Sequence, residues 1–132
     1  MGYWLVGLSL EGRGRVKDAV AMFEEGLRQA PEDDKRTMCA LGHSYGLLGE
    51  EQKALAALKR ITNVNTKQLT RHTLAYCVAL TYTGLGNREK AFEWLEKARL
   101  SRDNSFPYAR FDPRFRRFSQ DARFVELTNL LP

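Results

Sequence analysis

The sequence has little cysteine: two residues in a chain of 132, with no Cys-x-x-Cys spacing. Cys39 and Cys77 each lie inside an apolar helical pattern, so we expect two buried thiols. This count excludes the disulfide framework that small secreted domains use. Without such a framework or a secretory signal, the default prediction is a cytoplasmic localisation.

Long hydrophobic runs are also absent. No stretch approaches the roughly 18 to 20 consecutive apolar residues that a membrane span needs, so we predict no membrane partner. The apolar start of the chain, residues 1–8, has no basic segment and is soon followed by Glu11 and Arg13. It is therefore not typical of a secretory signal, and we interpret it as a helix of the fold.

The composition is that of an ordinary globular chain, with 43% apolar and 28% charged residues. A length of 132 residues can bury a core without disulfides or metals, and it predicts a single domain over residues 1–132. The net charge of +5 is unevenly distributed. Between residues 102 and 123, six arginines stand against three aspartates, so most of the positive charge lies in the C-terminal tail and suggests an anionic partner.

One helix-turn-helix pattern occurs three times along the chain. Each copy has a small residue within a first helix, a glycine at the turn, and an alanine followed four residues later by a large apolar residue. The turn glycines are Gly14, Gly49 and Gly86, which lie 35 and then 37 residues apart. The clearest copy reads Leu41-Gly42-x-x-Tyr45, Gly49, Ala54-x-x-x-Leu58. Such a period predicts helical repeats.

The pattern resembles the tetratricopeptide-repeat family over residues 1 to about 103. This resemblance implies an all-α, right-handed helical-repeat solenoid of three helix pairs, with repeats at about 1–33, 35–68 and 72–104. A tail at 105–132 would supply a C-terminal capping helix. Members of the family bind proteins or peptides and rarely catalyse reactions. The resemblance therefore implies a non-catalytic interaction module that needs no cofactor.

The resemblance also implies a concave groove lined by the first helix of each pair. Carried over position by position, the groove residues are Trp4, Leu8, Arg36, Cys39, His43, Thr73, Tyr76, Leu80 and Thr83. The lining is apolar and aromatic, with one permanent positive charge on Arg36. It lacks the Lys and Asn residues with which chaperone-binding members of the family hold a terminal carboxylate. We predict instead an extended or helical partner segment with one or two large apolar anchors.

The tail contains two copies of a short motif, Asp112-Pro113-Arg114-Phe115 and Asp121-Ala122-Arg123-Phe124. It resembles the tails that close tetratricopeptide regions of bacterial transcription regulators and protein kinases, which implies an adaptor or regulatory part of a larger bacterial protein. Apolar residues at Phe124, Leu127, Leu130 and Leu131 predict a final helix that covers the third repeat.

The tail also leaves an alternative function open. Its candidate anion-binding residues are Arg110, Arg114, Arg116, Arg117 and Arg123, and phenylalanines alternate with them as in a binder of single-stranded nucleic acid. However, the spacing of the phenylalanines favours burial, and the nearby aspartates reduce the positive field. The pattern therefore weighs against nucleic acid.

Self-assembly is a further alternative, because the apolar first helix with Tyr3, Trp4 and Leu8 could contact a second copy of the chain as a homo-oligomer. Cys39 and His43 share a helix face, and Cys77 lies on the neighbouring first helix, which raises the idea of a metal site or a nucleophile. We predict no metal and no catalytic residue, because His72 is the only further ligand candidate and no third group would orient a nucleophile.

Overall fold

Helices account for most of the backbone that the structure describes. The computed structural model describes residues 2–29, 35–63, 74–102 and 105–129. Within these ranges the chain forms seven α-helices and two 3-10 helices, and no strand. They are α1 (Tyr3–Gly12), α2 (Val16–Gln29), α3 (Lys35–Leu47), α4 (Glu51–Asn63), α5 (Leu74–Leu85), α6 (Arg88–Leu100), η1 (Phe106–Phe111), η2 (Pro113–Phe118) and α7 (Ala122–Asn129).

The first six helices form three pairs, α1 with α2, α3 with α4, and α5 with α6. Each pair is joined by a tight turn whose glycine has a left-handed backbone, with φ values of 81°, 75° and 76° at Gly14, Gly49 and Gly86. Residues with a Cβ adopt this conformation only at a cost, which is why the turn glycines mark the repeat so clearly in the sequence. The predicted all-α helical-repeat fold is confirmed.

The pairs stack through their neighbouring helices. Helix α2 packs on α3, α4 packs on α5, and the first helices α3 and α5 pack extensively on each other. The backbones of α3 and α5 approach closely where Gly84 faces His43. A Cβ built on Gly84 would lie 2.2 Å from the His43 carbonyl oxygen, so only a glycine permits this contact.

The tail belongs to the core of the fold. Phe115 and Phe124 are buried, and their ring centroids lie 5.7 Å apart. Phe92 of α6 contacts the rings of Phe118 and Phe124 at centroid distances of 5.0 Å and 6.3 Å. Leu127 is buried beside them, as the apolar stripe of the final helix predicted, while residues 130 and 131 of that stripe lie outside the described residues.

The two cysteines depart from the prediction. Cys39 of α3 and Cys77 of α5 form a disulfide, with their Cα atoms 5.3 Å apart. Both are buried, as expected, but the expectation of two thiols was wrong, because the packing of α3 on α5 brings together residues that are 38 positions apart. Disulfides persist mainly in oxidising compartments, so a cytoplasmic localisation loses the support that free thiols would have given it.

None of the helices in the described ranges is long and apolar enough to cross a membrane.

Candidate partner-binding groove

The structure separates the predicted groove residues into a buried set and an accessible set. Five are buried: Cys39, His43, Tyr76, Leu80 and Thr83. Trp4 and Leu8 are half-buried and Arg36 is exposed, whereas Thr73 lies outside the described residues. A charged residue at position 76 or 80 would therefore disrupt the core and would not test partner binding.

The tail covers the buried set by lying across α3 and α5. The Tyr76 hydroxyl donates to Asp112 Oδ2 at 2.7 Å, and the Tyr76 ring meets Phe115 edge to face at a centroid distance of 5.4 Å. Arg117 Nη1 donates to the Thr83 carbonyl oxygen at 2.8 Å. The C-terminal tail was predicted as a lid over the third repeat. In addition, its η2 segment lies on the face formed by α3 and α5.

Asp112 holds the start of η2 in place. Its carboxylate accepts hydrogen bonds from the backbone N–H and the guanidinium of Arg114 at 2.9 to 3.0 Å, in addition to the bond from Tyr76. Burial opposes ionisation of this carboxyl group, but the hydrogen bonds and charge of Arg114 and the bond from Tyr76 outweigh it and lower its pKa. Asp112 is therefore a charged, fully bonded anchor.

A buried polar cluster joins the first repeat to the second repeat and to the tail. Glu11 Oε1 lies 2.7 Å from His43 Nδ1 and accepts a hydrogen bond from Ser44 Oγ at 2.8 Å. His43 Nε2 lies 3.2 Å from the carbonyl oxygen of Arg114. Both side chains of the Glu11–His43 pair are almost fully enclosed, at 7% and 4% exposure. This pairing was not predictable from the sequence, because the partners lie 32 residues apart on different helices.

The geometry of the cluster does not fit nucleophilic catalysis. His43 contacts Glu11 and the Arg114 carbonyl oxygen, whereas Ser44 Oγ donates to Glu11, so the cluster lacks the hydrogen bond between hydroxyl and imidazole that activates a serine nucleophile. The sulfur atoms that a metal or a nucleophile would need at Cys39 and Cys77 are bonded to each other. Among the described residues, no group of three or more His, Cys, Asp or Glu side chains converges on one point.

A cavity of about 240 Å³ lies between the first repeat and the tail. Its walls come from α1, α3, the end of α5 and η2, and they consist of Leu8, Glu11, Gly12, His43, Leu47, Thr83, Pro113, Arg114, Arg116 and Arg117. The tail therefore closes one side of the groove and leaves this cavity open beside α1. We call the surface formed by Trp4, Leu8, Arg36, Leu47 and this cavity the open groove.

Trp4 and Arg36 form one end of the open groove. The guanidinium of Arg36 lies over the Trp4 ring, 4.5 Å from its centroid. On the same helix as Trp4, Leu5 and Val6 expose 64% and 41% of their surface. Neither residue was among the predicted groove residues. Their exposure could not be read from an α1 sequence that is apolar on every side.

The five tail arginines do not form one site. Arg114, Arg116 and Arg117 line the cavity, while Arg110 lies over the Phe111 ring and Arg123 approaches Glu89 at 3.6 Å. The phenylalanines at positions 115, 118 and 124 are buried, so they are not accessible for stacking on nucleic-acid bases.

Comparisons with known proteins agree with the helical pattern. The family model for the tetratricopeptide repeat matches residues 36–68, which contain most of α3 and all of α4. No curated protein and no solved structure matches the chain at a significant level.

Proposed function

Because residues 36–68 match the tetratricopeptide repeat and the chain has an all-α helical-repeat fold, we propose that it binds a segment of another protein in the open groove. Repeats of this family generally mediate protein-protein interaction and are typically non-catalytic. The chain would act as an adaptor or as the regulatory part of a larger bacterial protein. One observation supports this location of the binding site: the tail covers α3 and α5 but leaves Trp4, Leu8 and Arg36 accessible.

The shape and chemistry of the open groove favour a segment with a large apolar anchor. Leu8 and Leu47 are the apolar walls of the cavity, and the Trp4 ring stacked under Arg36 extends the surface beyond it. Aromatic and aliphatic anchors that fill such pockets supply most of the free energy in similar interfaces. The buried Glu11–His43 pair fixes the depth of the cavity, because its side chains are already bonded to each other.

A cytoplasmic localisation stays a prediction. Its test is the redox state of Cys39 and Cys77 in protein isolated from cells with thiols blocked at lysis. Two blocked thiols would support a reducing compartment, and an intact disulfide would contradict it.

Selection from a random 12-residue peptide library on the immobilised protein tests the proposed binding site. We expect enriched peptides that bind the wild type and lose at least tenfold in affinity for Leu8→Glu and for Arg36→Glu. Arg36 is exposed, so its substitution does not disturb the core. A loss of affinity in this variant therefore cannot be attributed to misfolding, as it could be for Leu8→Glu. Circular dichroism would verify that both variants retain their helix content.

Leu55→Glu is the matched control, because Leu55 of α4 is also an accessible leucine, at 38% exposure, but lies away from the open groove. Its affinity for the selected peptides should stay within twofold of the wild type. Equal losses in the control and the groove variants, or no enriched peptide at all, would contradict the proposed site.

Self-association is the second candidate, and the exposure of Leu5 and Val6 on α1 supports it. Adjacent exposed apolar side chains often mark an interface. Light scattering over a wide concentration range should then show a dimer that Leu5→Glu dissociates. Trp4 is less suited to this test, because its indole Nε1 is buried and a charged residue there would disturb the fold. A monomer at all concentrations would rule this candidate out.

A further inference from the structure

We infer that the cavity of the open groove binds a side-chain carboxylate, so that the partner segment carries an acidic residue next to its apolar anchor. This inference rests on the proposed function and specifies the chemistry of its partner. It follows from three properties of the cavity, namely its charge, its volume and its apolar walls.

The charge at the mouth of the cavity is positive and available. Arg116 is exposed and forms no ion pair with any described residue, so its guanidinium can bind an anion without breaking a contact. Arg117 is also exposed, and one of its N–H groups is bonded to the Thr83 carbonyl oxygen. That bond orients the guanidinium and leaves further donors free, which reduces the entropy lost when a carboxylate binds.

The other charged groups of the cavity are already bonded within the protein. Arg114 is bonded to Asp112 at 2.9 Å, and Glu11 is bonded to His43 at 2.7 Å on the cavity floor. The Glu11 carboxylate also accepts from Ser44, so its charge is directed into the protein. Arg116 and Arg117 carry two positive charges against the one negative charge of Glu11, so the field that a ligand meets favours an anion.

The volume of the cavity suits a single side chain. A cavity of about 150 Å³ holds a benzene molecule, and pockets for drug-sized ligands start at about 300 Å³. At about 240 Å³, this cavity has room for one side chain of a partner segment. Its apolar residues Leu8, Leu47 and Pro113 can pack against the methylene groups of a glutamate while the carboxylate reaches the arginines.

Charge-reversal variants of two tail arginines provide the test. The probes are synthetic peptides from the library selection, labelled with fluorescein and amidated at the C-terminus so that only side chains carry a carboxylate. Each is compared with a version in which every acidic residue is replaced by its amide. Arg116→Glu reverses the charge at the cavity, and Arg110→Glu makes the same change on an exposed tail residue outside it.

We expect the acidic peptides to lose at least tenfold in affinity, measured by fluorescence anisotropy, on Arg116→Glu and less than twofold on Arg110→Glu. The amide version should bind the wild type at least tenfold more weakly and should be insensitive to Arg116→Glu, since the two changes remove the same interaction. Affinity of the acidic peptide should also fall as salt is added.

Three results would overturn the inference in distinguishable ways. Peptides that need Leu8 but bind equally well as acids and amides, or equally well to Arg116→Glu, would disprove the carboxylate site and leave the proposed groove standing. A library without any binder would overturn both. Equal losses for Arg116→Glu and Arg110→Glu would show attraction to the whole tail and would also disprove the carboxylate site.

Discussion

Glu11, at the end of α1, lies 2.7 Å from His43 of α3, and both side chains are buried. This contact links the first repeat to the second, and His43 extends it to the tail through the carbonyl oxygen of Arg114. The three structural units that surround the open groove therefore meet at one polar cluster. The groove depends on this cluster for its shape.

Removal of the Glu11 carboxylate should destabilise the fold. Glu11→Ala leaves His43 Nδ1 and Ser44 Oγ without their acceptor, and each unsatisfied buried group costs about 1 to 3 kcal/mol. We expect a loss of at least about 2 kcal/mol in the free energy of unfolding, measured by urea denaturation. Glu11→Gln keeps an acceptor oxygen and should lose less. Equal stability of Glu11→Ala and the wild type would contradict this role of the cluster.

Asp112 should make the stability sensitive to acid. Its pKa is lower in the folded protein than the ordinary value of 3.8, so its contribution is fully present above that value and is lost as the pH falls through the folded pKa. Asp112→Asn should cost about 2 kcal/mol near neutral pH, because the bonds to Arg114 and Tyr76 lose a charged acceptor. The difference between variant and wild type should shrink below pH 3.8.

Asp18→Asn is the control for this measurement. Asp18 pairs with Arg15 on the surface, where both side chains are more than half exposed, and such pairs contribute at most about 1 kcal/mol. Urea denaturation between pH 2 and pH 7 should show a clear pH-dependent difference for Asp112→Asn and almost none for Asp18→Asn. If the difference in free energy of unfolding between Asp112→Asn and the wild type were the same at pH 2 and pH 7, the anchoring role of the Asp112 charge would be refuted.

Reduction of the disulfide should lower stability. Cross-linking residues 38 positions apart restricts the unfolded chain and stabilises the fold by about 4 kcal/mol in the chain-entropy model. Dithiothreitol should therefore reduce the free energy of unfolding of the wild type, and it should have no effect on a variant with Cys39→Ala and Cys77→Ala. Alkylation in denaturant followed by mass spectrometry would detect two free thiols if the bond were absent, and that result would disprove it.

Gly84→Ala should separate α3 from α5. The added Cβ would meet the His43 carbonyl oxygen at 2.2 Å, which forces the backbones apart and costs about 1 to 3 kcal/mol or more. Gly12→Ala is the matched control, because nothing lies within 4 Å of its Cβ and alanine favours a helix. Thermal unfolding should show a clear decrease in Tm for Gly84→Ala and none for Gly12→Ala. Similar Tm values for both would contradict the close contact.

Sequence and structure agree most closely where a feature depends on neighbours along the chain. The turn at Gly49 was predictable because a left-handed backbone after a helix requires glycine, and the helices on either side of it follow from apolar residues at helical spacing. Burial of Phe124 and Leu127 was predictable for the same reason, since both lie on one face of α7.

The groove residues were assigned by analogy with a solenoid whose first helices are open to solvent. That assignment could not include the tail, because the bonds between Asp112 and Tyr76 and between Arg117 and Thr83 join positions 36 and 34 residues apart. No local pattern records such distances.

The sequence by itself determined that this chain forms helix pairs of a tetratricopeptide-repeat type, because turn chemistry and helical periodicity are local properties. Only the tertiary structure decided which part of the groove stays open, that the two cysteines pair, and which arginines face the cavity. Those outcomes depend on how the tail lies across α3 and α5, and that arrangement is set by buried contacts between residues distant in sequence.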